Sequence, residues 1–179
     1  MNNTTQDQIT NLLREITELE NKQKNLTLQQ ADKNPQPSNT YIIYEATPEK
    51  TINILKKQSE KGIPTTYITR TNPAQAKQKL EKTRVIWLTT VKSEGDTESI
   101  SGLQELSILL TNQIQQNHTI LLEGIEYLIS NNDFSSVLKL IQQTRDKTST
   151  TQATLIISVN PNAMDKKQLT LIDRECAKI

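Results

Sequence analysis

Lys50-Thr51 stands shortly after the β-branched run Tyr41-Ile42-Ile43-Tyr44, and a lysine followed by serine or threonine behind a strand is how a phosphate-binding loop ends. Such a loop is a physical device. Its glycines let successive backbone N–H groups turn inward onto phosphate, its lysine reaches the terminal phosphates, and its hydroxyl holds magnesium. In Tyr44-Glu45-Ala46-Thr47-Pro48-Glu49-Lys50-Thr51, however, Tyr44 and Glu49 occupy both glycine positions and Pro48 has no N–H to give. Glu45 and Glu49 would also repel a triphosphate. Lys50-Thr51 is therefore expected to belong to an ordinary helix start.

The other residues that could do chemistry sit where strands end. Glu123 closes the apolar run Thr119-Ile120-Leu121-Leu122. Lacking a phosphate loop to serve, it is expected to accept backbone N–H bonds or pair with a base. Arg70 directly follows Thr65-Thr66-Tyr67-Ile68-Thr69 and precedes Thr71-Asn72-Pro73, so it should project into the crevice at the carboxyl ends of the strands, where open α/β sheets bind ligands. Glu45, Arg70, Asn72, Glu123 and Asn160 together make a candidate strand-end crevice for a ligand or partner. Arg70 is expected to form a charged cluster with Glu45, Glu123 or both; an arginine held free for an anionic ligand or an acidic partner is the competing reading. No residue is assigned a catalytic role, and no cofactor or metal is implied. His118, the single histidine, lies in a polar turn and reads as a surface residue. Cys176 shares helical spacing with Leu169, Ile172 and Ile179 and reads as a small buried apolar group, and Trp87, inside an apolar strand, reads as core.

These residues need elements to hold them. From Thr40 onward short β-branched runs alternate with longer amphipathic stretches, the pattern of βαβ crossovers and a parallel sheet. The strands are expected at 41–44, 65–69, 85–89, 119–122 and 153–159, apolar enough on both faces to be buried between helices. Thr47-Pro48-Glu49 reads as a capped helix start for the helix that Gly62 ends. Asn72-Pro73 opens a short helix reaching Leu80. Leu103, Leu106, Leu110 and Ile114 mark the next, after a loop at Ser93–Thr97. Asp133 caps one carrying Phe134, Val137, Leu138 and Ile141, and a last helix runs from about Asp165 through Ile179. Ahead of this body Ile9, Leu12, Ile16, Leu19, Gln23 and Leu26 alternate at spacings of three and four, a coiled-coil seam with a polar residue at one core position. The organisation expected is a coiled-coil helix over 1–30, a Pro-containing linker over 31–39 and an α/β domain over 40–179, with residues 8–28 pairing two copies into a homodimer.

Composition narrows the partners. The 21 Lys and Arg against 20 Asp and Glu leave a net charge of +1, too little to gather nucleic acid, and aromatics at 3% supply few stacking platforms. One cysteine excludes an internal disulfide and fits a reducing cytoplasm. No apolar stretch approaches the roughly 20 residues that cross a bilayer.

The run Tyr67-Ile68-Thr69-Arg70-Thr71-Asn72-Pro73, then Ile86-Trp87-Leu88-Thr89, then Leu121-Leu122-Glu123-Gly124-Ile125-Glu126-Tyr127-Leu128-Ile129, and finally Asn160-Pro161 with the helix through Arg174-Glu175, resembles the archaeal domain of unknown function numbered 835. The resemblance covers about residues 40 to 179. Glu123 departs from it, since the family more usually has aspartate there. The same segment order is similar to the KaiC and RecA type of ATPase core, and that likeness implies five parallel strands in the order 3-2-4-5-1, sandwiched by helices. It also implies that Glu123 stands where a magnesium-positioning acid would be. The expectation is a degenerate, non-enzymatic regulatory or signalling module with an unknown protein partner. The alternative is a nucleotide-sensing or weakly nucleotide-hydrolysing domain with a non-standard phosphate site.

Overall fold

A computed structural model describes residues 12–20, 35–91 and 97–179. The chain divides into two compact units, residues 1–34 and 35–179. In the first, residues 12–20 form helix α1, on which Leu12, Leu13, Ile16 and Leu19 are all at least 50% exposed. The rest of the expected coiled-coil segment, with Ile9, Gln23 and Leu26, lies outside the described residues, as does most of the expected loop at 93–97.

The second unit runs β1 (Asn39–Tyr44), α2 (Glu49–Glu60), β2 (Thr65–Thr69), α3 (Pro73–Lys79), β3 (Arg84–Leu88), β4 (Ser99–Ile100), α4 (Leu103–Gln113), β5 (Thr119–Glu123), α5 (Ile125–Asn131), α6 (Phe134–Ser149), β6 (Thr154–Val159), a 3-10 turn (Pro161–Ala163), α7 (Lys166–Asp173) and β7 (Ala177–Lys178). Among the described residues every strand pairing is parallel. The expected sheet of five strands in the order 3-2-4-5-1 is corrected to seven strands in the order β4-β3-β2-β5-β6-β1-β7. The two added strands are two residues each, too short to leave a periodic signature, and lie at opposite edges. Between them run the five longer strands, β3-β2-β5-β6-β1.

Helices cover both faces because side chains alternate along each strand. Ile42, Ile68, Leu122, Leu155 and Ile157 face a core closed by Leu106 and Leu110 of α4, Leu128 of α5, Val137 and Ile141 of α6, and Ile172 of α7. Ile43, Tyr67, Leu121 and Ile156 face Leu55 of α2 and Ala76 of α3. Every residue of β2 and β6 is buried, and each apolar side chain so enclosed contributes about 1.5–3 kcal/mol.

The last helix is also corrected. It ends at Asp173 rather than running through Ile179, and the chain turns so that Ala177 and Lys178 pair with Tyr41 and Ile42. The reason lies in polar anchors. Asp173 accepts from the Tyr44 hydroxyl at 2.5 Å and pairs with Lys178 at 3.0 Å, while Glu175 pairs with Arg145 at 2.7 Å. Cys176 and Ile179 consequently pack against opposite faces of the sheet. Burial, then the charge of Glu175, pushes the half-buried Cys176 thiol up to about 12.

Candidate functional site

Parallel strands present all their carboxyl ends on one side, so Glu45, Arg70, Glu123 and Asn160 reach one rim. Between the ends of β1, β5 and β6 lies a cleft of about 240 Å³, lined by Glu45, Pro48, Glu123, Glu126, Ser158 and Asn160 among others. Arg70 and Asn72 do not line it.

Glu45 holds the most consequential position. Its carboxylate accepts from the backbone N–H of Lys50 at 2.8 Å and of Thr51 at 3.4 Å, from the Thr51 hydroxyl at 2.6 Å, and from the Ser158 hydroxyl at 2.9 Å. A helix start leaves several N–H groups without intrahelical partners and carries partial positive charge. That is the feature by which a helix start holds phosphate. Here the chain's own carboxylate occupies those donors. The cap expected from Thr47 is corrected accordingly: Pro48 is the residue at the cap position, it has no capping side chain, and Glu45 supplies the acceptor. Thr51 is fully buried, so the arrangement is anchored in the core.

Glu123 is engaged as well. It accepts from the Thr69 hydroxyl and, at 2.9 Å, from the backbone N–H of Arg70. Glu126, on the first turn of α5, accepts from the backbone N–H of Asn160. The side chains of Asn160 and Asn72 serve their own turns, accepting from Asn162 at 3.0 Å and from Ala74 at 2.9 Å. Among the described residues no three His, Cys, Asp or Glu side chains converge as metal ligands. Beneath the rim, burial, reinforced by the charges of Glu123 and Glu45 and opposed by Thr69, pushes the Tyr67 hydroxyl up to about 12.

The expected charged cluster of Arg70 with Glu45 or Glu123 does not form. Both carboxylates are committed to hydroxyl and backbone donors, and the arginine side chain runs the other way. Its guanidinium lies 4.0 Å from the Tyr127 ring centroid and donates to the Leu88 carbonyl. Gly124 makes this path possible: at φ +105° it has the left-handed geometry that glycine tolerates, and a Cβ there would stand 2.9 Å from Arg70 Cγ. Trp87 is corrected from core to half-buried; its indole N–H donates to the Arg70 carbonyl at 3.3 Å. His118 is corrected too. It is half-buried at the far end of the sheet, with Nε2 2.9 Å from the Thr66 hydroxyl, and burial followed by the charge of Arg84 lowers its pKa.

Glu126, Ser158 and Tyr127 were not foreseen as site residues. The signal for Tyr127 was present in Glu123-Gly124-Ile125-Glu126-Tyr127, where a glycine after a strand opens a helix and sets the tyrosine one turn on.

A family model described as a protein of unknown function (DUF835) matches residues 44–176. No curated protein matches. Among solved structures, the fold is similar to that of a protein from Pyrococcus horikoshii OT3 determined in a structural study, with 13% identity, 82% of this chain and 84% of that one covered, and a TM-score of 0.56. It is also similar to the flagellar accessory protein FlaH from Methanocaldococcus jannaschii, with 11% identity, 83% of this chain and 72% of that one covered, and a TM-score of 0.52. These likenesses concern the fold alone.

Proposed function

Because the chain belongs to the DUF835 family of proteins of unknown function, a membership that assigns it no activity, we propose from its own geometry that it is a non-enzymatic regulatory or protein-interaction module, a RecA-like core whose phosphate site has been lost. The observation that carries this reading is the Glu45 carboxylate seated on the N–H groups of Lys50 and Thr51. A phosphate approaching α2 would have to displace a bound carboxylate, strip two hydroxyl partners from it, and then sit beside it and Glu49. Without the phosphate, an acid at the Glu123 position has no magnesium complex to hold. The module pairs with a second copy through residues 8–28, for which the exposed apolar side chains of α1 are the support, and it works in a reducing cytoplasm.

The test is thermal. Ligand at a hundred times its dissociation constant stabilises by about 2.7 kcal/mol, enough for an obvious rise in melting temperature. Magnesium-ATP at millimolar concentration should give none, and no phosphate should be released. A saturable rise abolished by Lys50→Ala would replace this reading with that of a nucleotide-sensing domain.

A further inference from the structure

We propose that Arg70, Tyr127 and Trp87 form a docking surface at the strand-end rim that takes the carboxylate of an aspartate or glutamate on a protein partner. The inference rests on the interaction-module reading and supplies its partner chemistry. Three observations carry it. Arg70 is exposed and, among the described residues, no carboxylate forms an ion pair with it, although Glu123 accepts a bond from its own backbone N–H. Its side chain is nonetheless fixed, by the floor at Gly124, the ring of Tyr127 and the carbonyl of Leu88. The chain's single tryptophan and one of its four tyrosines lie at the same arginine.

A guanidinium has five N–H donors, and among the described residues Arg70 spends one of them on protein, so a fork remains for an acceptor. That fork matches a carboxylate with two parallel bonds. Holding it in place beforehand removes much of the ordering cost of binding, and arginine, tyrosine and tryptophan are the residue types that dominate binding energy at interfaces. Nucleic acid fits poorly, because the adjoining cleft carries Glu45, Glu123 and Glu126. A protein segment with one acid on Arg70 and neutral or basic neighbours over the cleft satisfies both charges.

The probe is a displayed library of random peptides selected on the full-length protein. Recovered peptides should share an aspartate or glutamate. Changing that residue to its amide should weaken binding to the wild type on the order of 30-fold, while Arg70→Gln should bind both peptide versions equally poorly and Arg70→Lys should recover only part. Arg70→Gln must melt cooperatively; should it not, Arg70→Lys and Tyr127→Leu carry the comparison. Binders without a shared acid, binders indifferent to Arg70, or no binders at all would overturn the proposal. If that happens while magnesium-ATP remains silent, the partner chemistry is wrong and the module reading stands, whereas an ATP response rejects the module reading itself.

Discussion

Replacing Glu45 by alanine should both destabilise the protein and create an anion site. The substitution removes the acceptor for the first turn of α2, worth about 1 kcal/mol as a helix cap, and a negative charge at the positive end of the helix, worth about 0.3–1 kcal/mol. It also strips a partner from two buried hydroxyls. Thr51 retains the Pro48 carbonyl at 3.2 Å, but Ser158 is left without an acceptor among the described residues, at about 1–3 kcal/mol. These contributions overlap, so the expected loss is about 2–4 kcal/mol, read as a lower midpoint in a urea titration at unchanged slope. Glu45→Gln, which keeps one carbonyl oxygen, should lose about half as much. Sulfate, compared with chloride at equal ionic strength, should then stabilise Glu45→Ala more than the wild type, because it can occupy the vacated N–H groups. A loss under about 0.5 kcal/mol, or equal sulfate stabilisation of both proteins, would mean that Glu45 does not hold the start of α2.

Gly124→Ala should cost about 1–3 kcal/mol by denaturant titration, since φ is +105° and the new Cβ would press on Arg70 Cγ; a neutral result would contradict the close approach. His118 has a lowered pKa in the fold, so between that value and the ordinary one the unfolded chain binds more protons. Its contribution is complete above about pH 6.5 and is lost as pH falls below it; His118→Gln should flatten that slope between about pH 7.5 and 5.5, and an unchanged slope would count against it. Deleting residues 8–28 should convert a concentration-dependent dimer into a folded monomer in sedimentation, and equal association states before and after the deletion would reject pairing through this segment.

The parallel α/β character was legible because β2 and β6 are buried on both faces and read as short, mostly β-branched runs. Helix starts at Asn72, Asp133 and Asp165 were legible because a short polar side chain there has one local use. Strands β4 and β7 were not, since pairs of residues carry no period, and β7 depends on Asp173 finding Tyr44 and Glu175 finding Arg145 across distant parts of the chain, with Lys178 closing locally onto Asp173. The rim was legible as a place, and its pairings were not. Charge alone put Arg70 beside Glu45 or Glu123. The structure satisfies those acids with neutral donors and turns the arginine onto Tyr127, an outcome set by Gly124 and by hydroxyls whose positions depend on strand register.

If the chain's own carboxylate fills the position a phosphate would need, nucleotide has no seat at the start of α2. Isothermal titration of magnesium-ATP into the wild-type protein tests it most directly. Dilution heats only are expected up to millimolar nucleotide, while a saturable one-site isotherm that weakens with Lys50→Ala would mean that the helix start still holds phosphate.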